Sequence, residues 1–114
     1  MKPFLDLKGA SGAAYRFRLL PKGHAHVPMA GNYVLVRPRG EGVKVVVVAA
    51  TNDLARVLEE QPPEVRRGAH VYTRLNVARA VREAEHADLQ AHYAAELAPA
   101  EPVSDQPQPV SAER

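Results

Sequence analysis

Residues 15–19, Tyr-Arg-Phe-Arg-Leu, alternate apolar and basic side chains. That period of two is the mark of a half-buried strand, with Tyr15, Phe17 and Leu19 on the core side and Arg16 and Arg18 opposite. Residues 21–31 hold two prolines and two glycines and read as loop. Residues 32–37, Asn-Tyr-Val-Leu-Val-Arg, form a second strand, and after a short glycine-rich turn residues 43–49 form a third. The close spacing predicts an antiparallel hairpin. Val45, Val46, Val47 and Val48 leave that third strand no polar face, which predicts a central strand covered on both sides.

The period then lengthens. Thr51 is the expected N-cap of a helix whose face carries Leu54, Val57, Leu58 and Gln61, ended by Pro62-Pro63. Residues 70–75 alternate again and predict a fourth strand. Asn76 is the expected cap of a last helix running to about Tyr93. Its predicted inner stripe is Val77, Val81 and Ala84, with Leu89 and Tyr93 further along. The order of strand, hairpin, helix, strand and helix predicts one α/β (α+β) domain over residues 1–97, a small mixed or antiparallel sheet with flanking helices. Residues 98–114 are Pro-rich and acidic, with four of the ten prolines. Such a segment buries too little apolar surface to offset its ordering entropy, so a disordered tail is expected.

Composition narrows the chemistry. The chain of 114 residues has no cysteine, which excludes disulfides and thiolate metal sites. No apolar run approaches the roughly 18 residues of a membrane span. Residues 1–12 lack a sustained apolar stretch of signal-peptide type, so the expected location is cytoplasmic. The net charge of +2 is uneven: Glu101, Asp105, Glu113 and Arg114 give the tail −2, leaving +4 on residues 1–98. A mildly basic body suits an anionic partner, DNA or another polyanion.

The basic candidates are Arg16 and Arg18 on one strand face and Arg37 and Arg39 flanking Pro38. If the first strand joined the sheet beside residues 32–37, the four would gather into a phosphate-binding patch. Aromatic residues make up only 5% of the chain, so base-stacking platforms are not evident. His24 and His26 have the His-x-His spacing of a metal pair, but in a loop with no third ligand they read as solvated. His86 and His92 do not share a helix face, whereas Glu85 aligns with Asp88 and His92. No metal site is expected there.

Gly31-Asn32-Tyr33, the helix start Ala50-Thr51-Asn52-Asp53-Leu54 and the texture of residues 70–93 together resemble the GIY-YIG nuclease domain, over residues 31–97. The resemblance implies a Gly-x-Tyr strand paired with a second strand, a catalytic arginine on the next helix and a metal-binding glutamate on the last, with one divalent ion cutting a phosphodiester. The residues 15–19 strand would be an N-terminal addition to that layout. Several positions depart from the pattern. Val47 and Ala49 stand where the second motif has tyrosine and glycine, Val57 where it has arginine, Gln61 where a histidine is common, and His86 where it has glutamate.

Valine can neither offset charge on a phosphate nor activate a nucleophile. Arg56, one residue from the arginine position, is turned by about 100° on the helix. The expectation is a GIY-YIG-like domain that has lost nuclease activity and binds nucleic acid or protein without a cofactor. The alternative is an altered endonuclease using Tyr33, Arg56 and Glu85 (or Glu83) with Mg²⁺ or Mn²⁺. A second alternative is a homodimer paired through the valine-rich strand.

Overall fold

The computed structural model describes residues 1–97; the predicted tail lies outside them. Eight elements follow in order: β1 (Phe4–Lys8), β2 (Ala14–Leu20), β3 (Gly31–Arg39), β4 (Gly42–Thr51), α1 (Leu54–Glu59), α2 (Pro63–Arg66), β5 (His70–Leu75) and α3 (Arg79–Tyr93). The strands make one antiparallel sheet in the order β1-β2-β5-β3-β4. The α+β class is as predicted, but two strands rather than one precede the hairpin. In β1 the alternation is Phe4, Asp6, Lys8 against Leu5, Leu7, and Gly12 in the following turn has φ +92°. A positive φ is open to glycine at no steric cost, so the turn closes there.

Two expectations about the sheet are overturned. The strand of residues 15–19 lies within β2, and β2 joins β5, not β3, with Arg18 opposite Thr73 and Leu20 opposite Val71. The valine strand β4 stands at the end of the sheet rather than at its centre. Its valines are nevertheless covered on both sides, because helices pack on both faces. One core joins Leu7, Phe17, Val34, Val36, Val45, Val48 and Tyr72 to Leu89 of α3. The other joins Leu35, Val46, Ala69 and Val71 to Leu58 of α1 and Val65 of α2. The register slips between Leu35, opposite Val47, and Val36, opposite Val45. Val46 is therefore the extra residue of a bulge, and Val45 and Val48 reach the α3 side while Val46 and Val47 serve the other. A bulge and the exposed Lys44 are features that blunt an edge against pairing with another chain.

Helix starts also differ from expectation. Asp53, not Thr51, caps α1: its Oδ1 accepts from the Ala55 and Arg56 amides at 3.1 and 3.3 Å. The Thr51 hydroxyl instead accepts from the Asp53 amide at 3.1 Å. Helix α3 begins at Arg79 after Ala78, with no side-chain cap. Leu89 and Tyr93 face the core as predicted, but the first part of the predicted stripe does not. Val77 and Val81 are 63% and 48% exposed, and Ala84 faces outward with them, while Arg82 is only 8% exposed. The physical cause is that Arg82 Nη1 donates to the carbonyls of Asn76 and Val77 at 3.1 and 2.9 Å. A buried cation that hydrogen-bonds loop carbonyls loses the penalty that would otherwise drive it outward.

The β1–β2 hairpin is fastened to α3 by Asp88. Its carboxylate accepts from the Ser11 amide at 2.8 Å, the Ser11 hydroxyl at 2.7 Å and the Tyr15 hydroxyl at 2.7 Å. Gly9 is needed for this approach, since a Cβ there would stand 2.0 Å from Asp88 Oδ2. These hydrogen bonds, led by the Ser11 hydroxyl, hold the Asp88 carboxyl below its ordinary 3.8. A lowered folded pKa stabilises above the unfolded value, and that contribution disappears as pH falls through the folded one. Asp88→Asn is therefore expected to flatten the acid limb of the melting temperature below about pH 4 and to raise amide exchange in the Gly9–Ala13 turn. Unchanged exchange in that turn would contradict this role.

Candidate functional site

Strand alternation decides where Tyr33 and its neighbours point. Asn32 and Tyr33 are neighbours on β3 and must point to opposite faces. Tyr33 packs with Leu35, Val47 and Leu58 on the α1–α2 side. Burial, with the nearby Glu64 charge adding to it, raises its hydroxyl above the ordinary 10.0, so the phenol is a weaker acid than usual. Val47 and Val57 beside this face are half-buried apolar residues.

Glu85 lies on the other side of the sheet, on α3. Arg74 Nε donates to its Oε1 at 2.8 Å, and Asn76 Nδ2 donates to the same oxygen at 2.8 Å. Asn76 Nδ2 also reaches Asn32 Oδ1 at 2.9 Å, and Asn32 Nδ2 donates to the Arg82 carbonyl at 3.2 Å. Asn32 is 1% exposed and Glu85's side chain 15% exposed. The Arg74 guanidinium additionally sits 5.5 Å from the centre of the Tyr15 ring. Glu85 is thus the anchor of a satisfied, largely buried network that ties β3, β5 and the start of α3 together. Asn76, expected as a cap, belongs to this network instead.

Arg56 is on the helix that covers the Tyr33 face, but its side chain does not turn toward Tyr33. Its side chain is 78% exposed on α1 and faces Glu60 at 3.9 Å. Tyr33, Arg56 and Glu85 therefore do not meet in one cleft. Among the described residues no three His, Asp or Glu side chains are grouped to hold a metal ion. His26 is fixed by hydrogen bonds: Nδ1 donates to the Val27 carbonyl at 2.8 Å, and Nε2 bonds the Thr73 hydroxyl at 3.1 Å. His86 Nε2 approaches the Val48 carbonyl at 3.3 Å.

The four arginines separate into two pairs, because β5 lies between β2 and β3. Arg18 is level with Thr73 and Tyr33, whereas Arg37 is four residues further along β3. Strand rise and spacing put them about 16 Å apart. Arg37 Nη1 donates to the Arg67 carbonyl at 3.1 Å, and Arg39 pairs with Glu96 at 3.3 Å.

Arg16 and Arg18 have different surroundings. Helices α1 and α2 cover β3, β4 and part of β5 on their face of the sheet, but the β1–β2 half of that face is open, with Phe4, Arg16 and Arg18 exposed on it. The loop after β2 rises beside it and makes a groove of about 820 Å³ lined by Phe4, Arg16, Arg18, His26, Val27 and Leu75. Arg16 forms a two-point pair with Asp6 at 2.8 and 3.0 Å, which raises the guanidinium pKa and lowers that of the carboxyl. Both partners are more than half exposed, so the pair contributes little to stability. Among the described residues no hydrogen-bond acceptor or carboxylate engages the Arg18 side chain. The sequence singled out both arginines. It did not show Phe4, Val27 and Leu75 as their neighbours, because those come from β1, the loop and the far end of β5.

Comparison with protein families, curated proteins and solved structures found no match to this chain.

Proposed function

We propose that the domain binds nucleic acid in the open groove over β1 and β2 and does not cut it. The observation that carries this reading is the exposed guanidinium of Arg18, which no acceptor among the described residues engages, beside Arg16 on a sheet face that no described helix covers. Cations two residues apart on one strand face reach out from a fixed backbone toward successive phosphates. The absence of cutting is supported by the sheet standing between Tyr33 and Glu85 and by the engagement of Glu85 in the Arg74–Asn76 network. The GIY-YIG-like order of residues 31–97 is then an ancestry of the frame, with the binding surface supplied by the two strands that precede it.

The test is fluorescence anisotropy of labelled oligonucleotides against salt. Two phosphate contacts on a single strand predict a slope of log K against log salt of about −1.4. Arg16→Ala combined with Arg18→Glu is expected to weaken binding at least about ten-fold and flatten that slope. Arg37→Ala with Arg39→Ala, at the other end of the sheet, is expected to leave both nearly unchanged. Binding that follows the second pair and ignores the first would overturn the reading.

A second reading, a protein partner, is favoured by one observation. Val77, just before helix α3, and Val81 and Ala84 on it all face outward, an apolar stripe of the kind that marks an interaction surface. It predicts no salt-sensitive oligonucleotide binding.

A further inference from the structure

The groove has features that distinguish one form of nucleic acid from another. Phe4 is 45% exposed although it lies in a strand, and it stands directly opposite Arg18 in the β1–β2 register. The Arg16 guanidinium lies over its ring, 5.2 Å from the centroid. The side chain of Arg16 is itself 63% exposed, so the ring and the guanidinium form a short pile whose outer side is open to solvent. Across the groove, Leu75 and Val27 are 54% and 52% exposed. His26, on the same lining, is held by the Val27 carbonyl and the Thr73 hydroxyl. Apolar surface and two cations therefore line one trough, and Asp6 holds the Nε and Nη2 edge of Arg16 while leaving its Nη1 edge free of it.

We infer that the groove selects single-stranded nucleic acid, with an unpaired base extending the Phe4–Arg16 pile and the flanking phosphates on Arg16 and Arg18; this rests on the nucleic-acid reading above. In a duplex the faces of the bases are stacked on one another, and only their edges reach the grooves. Phe4 could then contact sugar or phosphate but gain no stacking. An unpaired base offers its whole π face, and both an aromatic ring and an arginine plane accept it without regard to base identity. The spacing of the cations agrees. Two residues apart on a strand, Arg16 and Arg18 have Cβ atoms about 6.6 Å apart. That is close to the separation of successive phosphates in an extended single strand. Among the described residues the trough is lined by strands and a loop, with no helix of the kind that enters a major groove.

The experiment compares a fluorescein-labelled oligo-dT, an oligo-U of equal length and a hairpin duplex of equal phosphate number, on the full chain at one fixed salt concentration. The variants are Phe4→Leu, which keeps an apolar strand residue but removes the flat ring, and Phe4→Trp, which keeps it. Melting curves check that both remain folded. The expected result is at least about ten-fold tighter binding of single strands than of duplex. Phe4→Leu is expected to lose about ten-fold on single strands and little on duplex, and Phe4→Trp to retain or improve binding. Comparison of oligo-dT with oligo-U separates DNA from RNA as the source of the strand. Equal or tighter duplex binding, or a neutral Phe4→Leu, would overturn single-strand selection while leaving nucleic-acid binding in place. No binding of any probe would overturn the functional reading itself.

Discussion

Glu85→Ala is expected to lower the folding stability of the domain by about 2–4 kcal/mol, since removing one partner of a largely buried pair leaves the other unpaired. For a domain of this size that corresponds to a melting temperature lower by more than about 10 °C. Arg74 would lose its carboxylate, and the Asn76 amide would keep Asn32 but lose its second acceptor. Because the same network holds the loop between β5 and α3, the damage is expected to spread to the rotation of α3, whose Arg82 donates to the Asn76 and Val77 carbonyls. Glu85→Gln should cost less, since an amide oxygen can still accept from Asn76 and Arg74. Thermal or urea denaturation of the three proteins checks this order. A catalytic glutamate held ready for a metal would behave differently: its removal would leave stability unchanged or raised and would abolish cutting. A neutral Glu85→Ala would therefore contradict the structural role assigned to it.

Gly31→Ala is expected to cost about 2–3 kcal/mol, as overpacking against unyielding neighbours does. A Cβ at position 31 would stand 2.3 Å from the carbonyl oxygen of Arg74 and 2.7 Å from Leu54 Cδ1. The first is backbone of the neighbouring strand β5, and the second is the buried leucine that opens α1. The carbonyl cannot withdraw without moving β5, and the leucine, fully buried, has little room to turn. The glycine of the Gly-Asn-Tyr motif is thus accounted for by the close approach of β3, β5 and α1. Its presence supports the frame of the fold and says nothing for catalysis. A Gly31→Ala protein with an unchanged denaturation midpoint would contradict that account.

The contrast between these residues shows what local pattern can carry. The β3–β4 hairpin, the Pro62-Pro63 stop, β5 and α3 all follow from alternation, breakers and helical spacing, and each forms near its expected place. Strand β1 was missed because its alternation spans five residues, too short to stand out from an N-terminal segment. The valine run of β4 reads as a central strand because helices bury both of its faces, and that leaves the same mark in the sequence whether one edge or both are paired. Helix α3 turns the first part of its apolar stripe outward because Arg82 finds carbonyl partners in a loop that no periodicity describes. The site depended on the same non-local facts. That Arg16 and Arg18 share a face was legible in residues 15–19. Their separation from Arg37 and Arg39 follows only from β5 entering between β2 and β3. The separation of Tyr33 from Glu85 follows only from which face of the sheet α3 covers.

The most direct test of the account is to incubate the protein with labelled single-stranded, nicked and branched DNA, with and without Mg²⁺ or Mn²⁺, and to score bound and cut fractions in the same samples. The account predicts a bound fraction that falls as salt rises and no cutting with either ion. Metal-dependent cutting that Tyr33→Phe abolishes would contradict it, and would mean that Tyr33 and a metal ion meet in an arrangement other than the one described.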